Sequence, residues 1–216
     1  MAAVGPYPLR GGREKASPAN AAAPRNESYC IIPSVRGKSI SRPKKAIIEQ
    51  AKKMVGAGYS ELALTGIHTG SYGYEVEDKL ALVNLLKELE KIPDLLRIRL
   101  NSIEPGYVSD ELINYASESN IFCRHFHIPL QSGSDTTLKK MGRHYSRQHY
   151  KNQIEKIAHC IPGCGIGADV MVGFPGESEK DFSETFNLIR DLPMTYLHVF
   201  PFSKRDGTAA VKIKNH

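Results

Sequence analysis

Residues 166–177 read IGADVMVGFPGE, and this stretch decides the fold class. Residues 166–172 are apolar except for Asp169, a composition typical of a buried strand. The Gly173 to Glu177 segment that follows combines glycine and proline, which break regular structure. The pattern of residues 179–190 then favours a helix. A buried strand, a tight turn and a helix in this order predict one unit of a parallel β/α fold.

The same alternation of strand and helix extends along the chain on the amino-terminal side, and one more strand follows. The further strands are predicted at 61–67, 95–103, 126–130 and 196–200. The further helices are predicted at 46–57, 80–89, 110–118, 135–141 and 147–158. Ser109 precedes the third of these helices and is suited to cap its amino terminus. We therefore expect an α/β fold in which a parallel sheet is covered by outer helices.

Residues 1–27 differ in composition from the rest of the chain. Gly5-Pro6, Gly11-Gly12 and Pro18 interrupt every possible element, and large aliphatic side chains are nearly absent. We expect this segment to be disordered. The remaining residues, 28–216, are long enough to bury one core, so we expect a single folded domain there.

The chain carries a net charge of +6, which is compatible with a polyanionic partner. The basic groups cluster at Arg36, Lys38, Arg42, Lys44 and Lys45, at Lys139, Lys140, Arg143, His144 and Arg147, and at Lys204 and Arg205. Solvated helix faces would give the same clusters. No run of eighteen apolar residues exists and the first residues lack the apolar core of a signal peptide. We therefore expect no membrane association, and cytoplasmic localisation.

Four cysteines without a disulfide framework suggest free thiols or metal ligands. Two metal sites are open as minor alternatives. One would use the cysteines Cys123, Cys160 and Cys164. The other would use the histidines His68, His127 and His198. The order of these residues along the chain does not fix whether their side chains converge.

Several motifs together resemble the radical S-adenosylmethionine (SAM) tRNA methylthiotransferase family. The sequence Tyr29-Cys30-Ile31-Ile32-Pro33 resembles the end of its iron–sulfur loop, and LTGIHTG at residues 64–70 resembles the branch that acts on threonylcarbamoyladenosine beside the tRNA anticodon. Further matching motifs follow in the family's order at 99–105, 127–134, 169–177 and 198–208. The resemblance begins at Ser28 and extends to the end of the chain.

This resemblance implies the partial (β/α) barrel of a radical SAM core. The first strand of that barrel precedes the cysteine loop, so it would fall within residues 1–27, and we expect it to be missing. The family also has an amino-terminal domain and a carboxy-terminal RNA-binding barrel, for which this chain has no counterpart. We therefore expect a fragment of the family's architecture.

The resemblance also implies a SAM site at the carboxyl ends of the strands, where parallel β/α folds bind ligands. Tyr29 matches the position that lies against adenine, Gly66 would let backbone groups approach the methionine end, and Arg143 could pair with the carboxylate. The expected cofactor-binding residues are Tyr29, Thr65, Gly66, Ile67, Ser102, Gln131, Ser132, Arg143 and Gly173.

The family holds its [4Fe–4S] cluster through the three thiolates of a C-x-x-x-C-x-x-C loop. Cys30 matches the third, whereas Ala23 and Glu27 stand at the first two positions. A carboxylate is a poor substitute for thiolate on an iron–sulfur cluster. We therefore expect a tRNA methylthiotransferase by family that is inactive as this chain. The alternatives are a non-catalytic remnant that binds SAM or tRNA, and a radical SAM methylthiotransferase that acts on another substrate, such as a ribosomal protein.

Overall fold

The structure is a computed structural model, which describes residues 2–4, 27–32, 40–66 and 68–213. Within these ranges the strands are β1 (Ala2–Val4), β2 (Glu61–Leu64), β3 (Arg97–Leu100), β4 (His125–His127), β5 (Gly165–Val172) and β6 (Tyr196–Pro201). The helices are α1 (Lys44–Gly56), α2 (Ala81–Glu90), α3 (Asp110–Glu118), α4 (Asp135–Met141), α5 (Arg147–Cys160) and α6 (Glu179–Asp191). In the described part of the chain, four short 3₁₀ turns lie at Thr69–Ser71, Tyr74–Val76, Pro105–Tyr107 and Ala209–Lys212.

The strands form two parallel three-stranded sheets, in the orders β1-β2-β3 and β4-β5-β6. A parallel bridge between Ile98 and Phe122 connects the two sheets. The Ile98 N–H donates to the Ile121 carbonyl at 2.7 Å, and the Cys123 N–H donates to the Ile98 carbonyl at 2.8 Å. The result is one curved wall of parallel strands. Among the described residues its two edge strands, β1 and β6, do not pair, so the barrel is open and the predicted partial (β/α) barrel is confirmed.

The helices cover the outer face of this wall. Successive side chains along each strand point alternately to the outer and the inner face. Along β4 and β5, Phe126, Ile166 and Ala168 are at most 1% exposed and face the helices. They pack in one hydrophobic core with Ile154 of α5 and Leu86 of α2. The residues between them along the strands therefore face the interior of the open barrel, where polar side chains are tolerated. This inner face carries the candidate chemistry.

The predicted strands and helices are present, with differences of a few residues at their ends. The prediction of a disordered segment over residues 1–27, with the first strand missing, does not hold at residues 2–4. Ala2, Ala3 and Val4 lie opposite Leu62, Ala63 and Leu64 as strand β1. The backbone groups on that edge of β2 give even a three-residue apolar segment a partner, and Gly5-Pro6 follows it directly. Residues 5–26 lie outside the described part of the chain.

No helix that the structure describes is both long enough and apolar enough to span a membrane.

Candidate functional site

Because every strand pair is parallel, the carboxyl ends of the strands lie at one edge of the wall, called here the mouth edge. Hydrogen bonds between the segments that leave the strands fix their relative height. The Asn101 N–H donates to the Leu64 carbonyl at 3.1 Å, and the Met171 N–H donates to the Gln131 carbonyl at 2.9 Å. Thr65, Ser102, Gln131 and Gly173 each follow a strand at this edge. Ile67, also predicted as a cofactor-binding residue, lies outside the described residues.

Gln131 has the features of a binding residue more clearly than any other described position at the mouth edge. Its φ is 63°, in the left-handed region that a residue with a branched or long side chain seldom adopts. The residue is 6% exposed. Its side-chain oxygen is buried without a hydrogen-bond partner among the described residues. A buried acceptor in this state costs free energy unless a ligand or a water molecule supplies a donor.

Gly173 occupies a left-handed position at the end of β5, with φ 69°. Its N–H donates to the Glu177 carboxylate at 2.7 Å, which closes the loop between β5 and α6. Burial raises the pKa of Glu177 above its ordinary value, despite that bond. The backbone at this strand end is therefore held in place by the chain itself.

Ser132, predicted as a cofactor-binding residue, has its hydroxyl engaged with α6. Ser132 Oγ lies 3.2 Å from Thr185 Oγ1, and the Gly133 N–H donates to the same Thr185 oxygen at 2.8 Å. Ser134 Oγ donates to Asp181 at 2.5 Å. A Cβ on Gly133 would lie 2.6 Å from Thr185 Cα, so only glycine permits this approach. These contacts anchor the segment that positions Gln131.

Asp181 provides a pH-dependent test of this anchor. Hydrogen bonds from Ser134 and Ser178 hold the pKa of Asp181 at about 2, below its ordinary value of 3.8. A lowered pKa in the folded state stabilises the fold above the unfolded-state pKa, and this contribution is lost as the pH falls toward 2. We predict that Asp181→Asn lowers the free energy of unfolding by about 1.5 kcal/mol at pH 7.

Urea denaturation of both chains at pH 7 and pH 3 checks this. The difference in the free energy of unfolding between the unmodified chain and Asp181→Asn should be smaller at pH 3 than at pH 7. The exposed Asp191, replaced by asparagine, is the matched control and should change stability little at either pH. A difference as large at pH 3 as at pH 7 would contradict the assigned role.

Arg143, predicted to pair with a ligand carboxylate, is bound by the chain's own carboxylates. Its Nη2 lies 3.2 Å from Glu27 Oε1 and its Nη1 lies 2.5 Å from Glu104 Oε2. Nη2 also donates to the Tyr29 hydroxyl at 2.5 Å. The arginine side chain is 3% exposed, and its Nε has no partner among the described residues. The Arg143 guanidinium, which we expected to pair with a ligand carboxylate, is therefore paired with Glu27 and Glu104.

Tyr29 and Cys30 lie in a short segment that is docked onto the rest of the chain. The Ser28 N–H donates to the Met141 carbonyl at 2.9 Å, and the Ala210 N–H donates to the Ser28 carbonyl at 2.6 Å. The Tyr29 ring meets Phe174 edge-on, with centroids 6.2 Å apart. Burial raises the pKa of Tyr29 despite the opposing charge of Arg143, so the phenol stays protonated. Ala23 lies outside the described residues.

The other cysteines lie at the opposite edge of the wall from Tyr29 and Cys30. Cys123 precedes β4, and Cys164 directly precedes β5, so both stand at the amino ends of their strands. Burial raises the pKa of Cys164 to about 11, and the neighbouring Cys123 adds to the shift. The Cys164 thiol is therefore protonated at neutral pH. In the described part of the chain, Cys123, Cys160 and Cys164 do not form a three-ligand metal group.

Two of the three histidines considered from the sequence do converge. His127, His198 and Asp169 place one ligand atom each within 4.8 Å of the others. His68 is not part of this group. Sequence reasoning missed Asp169 as the shared partner. Strand alternation was the available signal, since His127, Asp169 and His198 all fall on inward-facing positions of neighbouring strands.

Comparisons with known proteins agree on one superfamily. The radical SAM superfamily model matches residues 28–189. Threonylcarbamoyladenosine tRNA methylthiotransferase MtaB of Bacillus subtilis is 43% identical over 189 residues, which are 87% of this chain and 42% of that protein. The tRNA-2-methylthio-N(6)-dimethylallyladenosine synthase of Carboxydothermus hydrogenoformans is 39% identical over 188 residues, 87% of this chain and 43% of that protein. The chain thus spans about two fifths of the length of these curated relatives.

Solved structures show the same fold at low sequence identity. The radical SAM methyltransferase TsrM from Kitasatospora setae, described with cobalamin and a [4Fe–4S] cluster bound, aligns with a TM-score of 0.59 and 14% identity over 74% of this chain and 31% of that chain. Coproporphyrinogen III oxidase (HemN) from Escherichia coli, a radical SAM enzyme, aligns with a TM-score of 0.57 and 14% identity over 82% of this chain and 42% of that chain.

Proposed function

The chain belongs to the radical SAM superfamily, and we propose that within it the chain is a member of the tRNA methylthiotransferase family. From this premise we propose that it is the core of a threonylcarbamoyladenosine tRNA methylthiotransferase, located in the cytoplasm, which binds SAM and tRNA at the mouth edge. We propose further that this chain, as it stands, does not perform methylthio transfer. The observation that carries the second part is the pairing of Glu27, at a cluster-ligand position, with Arg143.

The mouth edge fits SAM as a ligand. The unpartnered buried oxygen of Gln131 is an acceptor for a donor such as an amino or hydroxyl group, both of which SAM offers. Gly66, at the end of β2, has no side chain to obstruct close approach of a ligand to the backbone. Thr65 and Ser102 supply hydroxyl groups at the same edge. Tyr29 has its ring at the aromatic cluster with Phe174, beside the mouth.

The [4Fe–4S] cluster does not fit the loop. Such clusters are held by thiolates, and in this loop Cys30 is the one cysteine at the three ligand positions. The Glu27 carboxylate is paired with the buried Arg143 guanidinium, so iron would have to compete with that ion pair for the carboxylate. We therefore derive no catalytic step for this chain, and binding without catalysis is the function that these residues support.

Exposed cations beside the mouth edge support tRNA as the partner. Lys204 and Arg205 follow β6, and Lys139 lies on α4, the helix that follows the β4 strand end; all three are exposed. Of the other predicted phosphate contacts, Arg36 and Lys38 lie outside the described residues. Lys140 donates to the Gly176 carbonyl at 2.6 Å, and Arg42 donates to Gln50. We assign the remaining contacts with phosphate to Lys139, Lys204 and Arg205.

Charge reversal tests this assignment. Replacing Lys139, Lys204 and Arg205 together with glutamate should weaken tRNA binding roughly tenfold or more, because each neutralised phosphate contributes about −0.9 to the log–log salt slope on a duplex. Fluorescence anisotropy of labelled tRNA at two salt concentrations measures both affinity and slope. Lys87→Glu, on the exposed face of α2, is the matched control for charge alone. Equal, salt-insensitive binding by the triple variant and the unmodified chain would contradict the proposed interface.

A further inference from the structure

The inner face of β4, β5 and β6 carries a second polar group, distinct from the Arg143 cluster. Strand pairing places His127 opposite Gly167 and Asp169 opposite His198. Gly167 also lies opposite Tyr196, and a Cβ at this position would meet the tyrosine ring at 2.1 Å. The missing side chain therefore lets Tyr196 lie across β5 between His125 and His127. The arrangement follows from the strand register and involves no residue of the cluster loop.

Both imidazoles contact the same carboxylate oxygen. His127 Nε2 lies 3.1 Å from Asp169 Oδ1, and His198 Nδ1 lies 3.2 Å from that atom. Ligands bound to a tetrahedral zinc ion at about 2.0–2.1 Å lie about 3.3 Å from one another. The observed separations are therefore already close to those of a coordinated ion. All three ligand atoms lie within 4.8 Å of one another, so one cation can contact them together after a small adjustment of the side chains.

An outer layer of hydrogen bonds orients His127. Its Nδ1 lies 3.1 Å from the Tyr196 hydroxyl, which in turn lies 2.8 Å from His125 Nε2. When the Nδ1 hydrogen is held by Tyr196, the lone pair of Nε2 points toward Asp169 and is available to a cation. Metal-binding histidines ordinarily have such a partner on their second nitrogen. The contact between His127 and Asp169 does not need this second hydrogen bond, whereas a metal site would use it to orient the imidazole. His125 and Tyr196 would therefore serve as outer partners of the site.

Exposure shows where further ligands could enter. The His127 side chain is 10% exposed, that of Asp169 is 27% and that of His198 is 64%. Three protein ligands with one open side are typical of a site that keeps a position for water or substrate oxygen. Two imidazoles and one carboxylate suit zinc and neighbouring divalent transition metals.

We infer that His127, Asp169 and His198 form a binding site for a divalent transition-metal ion on the inner face of the barrel, with Tyr196 as its positioning residue. The open side of the site would take water or an anionic oxygen of a ligand. This inference is independent of the proposed tRNA function, because none of the four residues contributes to the cluster loop or to the basic surface.

Titration of the full chain, prepared without a polyhistidine tag, with Co²⁺ tests the site. We expect one equivalent to bind with visible d–d absorption, without the intense near-ultraviolet band of a cobalt thiolate, and to be displaced by Zn²⁺. Outer partners of metal-binding histidines contribute about 10–100-fold to affinity, so Tyr196→Phe should weaken binding roughly tenfold. His198→Ala should weaken it more.

Asp169→Asn separates metal binding from a structural role. An asparagine oxygen can still accept hydrogen bonds from both histidines, so the variant should stay folded by circular dichroism and yet lose the metal. His149→Ala, an exposed histidine on α5, is the matched control and should bind normally. Absence of uptake by the unmodified chain would overturn the inference. Equal uptake by every variant, or a thiolate band, would overturn it too by placing the ion elsewhere.

Discussion

Replacement of Arg143 with methionine should lower the free energy of unfolding by about 3–5 kcal/mol, the usual cost of removing one partner from a buried ion pair. The guanidinium compensates two carboxylates, Glu27 and Glu104, whose side chains are each 11% exposed. Methionine approximates the length of the side chain but provides no hydrogen-bond donors. Both carboxylates would then be left largely buried without a cation, and the Tyr29 hydroxyl would lose its donor.

Urea denaturation followed by circular dichroism measures this effect. The matched control is Arg147→Met, since Arg147 is 36% exposed and lies 3.8 Å from Glu184. Surface pairs of that kind contribute about 0–1 kcal/mol, so the control should be nearly neutral. A change of less than about 1 kcal/mol for Arg143→Met would show that Arg143 does not hold the segment from Glu27 to Cys30 in place.

The secondary structure was largely predictable from the sequence because its signals are local. The residues 110–118 were predicted as a helix capped by Ser109, and the structure has α3 at Asp110–Glu118, with the Leu112 N–H donating to Ser109 Oγ at 3.2 Å. The strand predicted at 61–67 ends earlier, at Leu64. Thr65 and Gly66 leave the ladder there, although the apolar residues on either side of them favour a longer strand. Strand β1 was missed because it is stabilised by pairing with β2. The composition of residues 1–27, on which the prediction of disorder was based, carries no information about such pairing.

The candidate site was predictable only in part because its decisive contacts are distant in sequence. The positions after the strands follow from the parallel fold, and Gln131 was correctly placed at a strand end. The pairing of Glu27 with Arg143 joins residues 116 positions apart and depends on how the segment before Cys30 docks. No local pattern records it. The convergence of His127 with His198 depends in the same way on strand register, which loop lengths do not reveal.

Reconstitution with iron and sulfide under anaerobic conditions should leave the unmodified chain essentially without a [4Fe–4S] cluster. Three thiolates hold such a cluster in this family, and Cys30 is the one thiolate that the loop supplies. The carboxylate at position 27 is bound to Arg143 and is a poor ligand for iron–sulfur. We expect cluster occupancy below about one tenth per chain.

Restoration of the ligands separates a defective loop from an unfolded protein. The double variant Ala23→Cys with Glu27→Cys has three thiolates at the family spacing and should acquire the cluster. Each single variant has two thiolates and should acquire little, which makes the pair of single variants a matched control. Cluster binding by the double variant alone would show that the barrel is folded and that ligand number is the cause.

Iron and sulfide content after reconstitution and desalting is the most direct measurement of whether this radical SAM core lacks its cluster. We predict background levels of both in the unmodified chain, and about four of each per chain in the double variant. Stoichiometric iron and sulfide in the unmodified chain, with the visible charge-transfer absorbance of a [4Fe–4S] centre, would contradict the assignment of Cys30 as its single thiolate ligand and the proposal that this chain binds without catalysis.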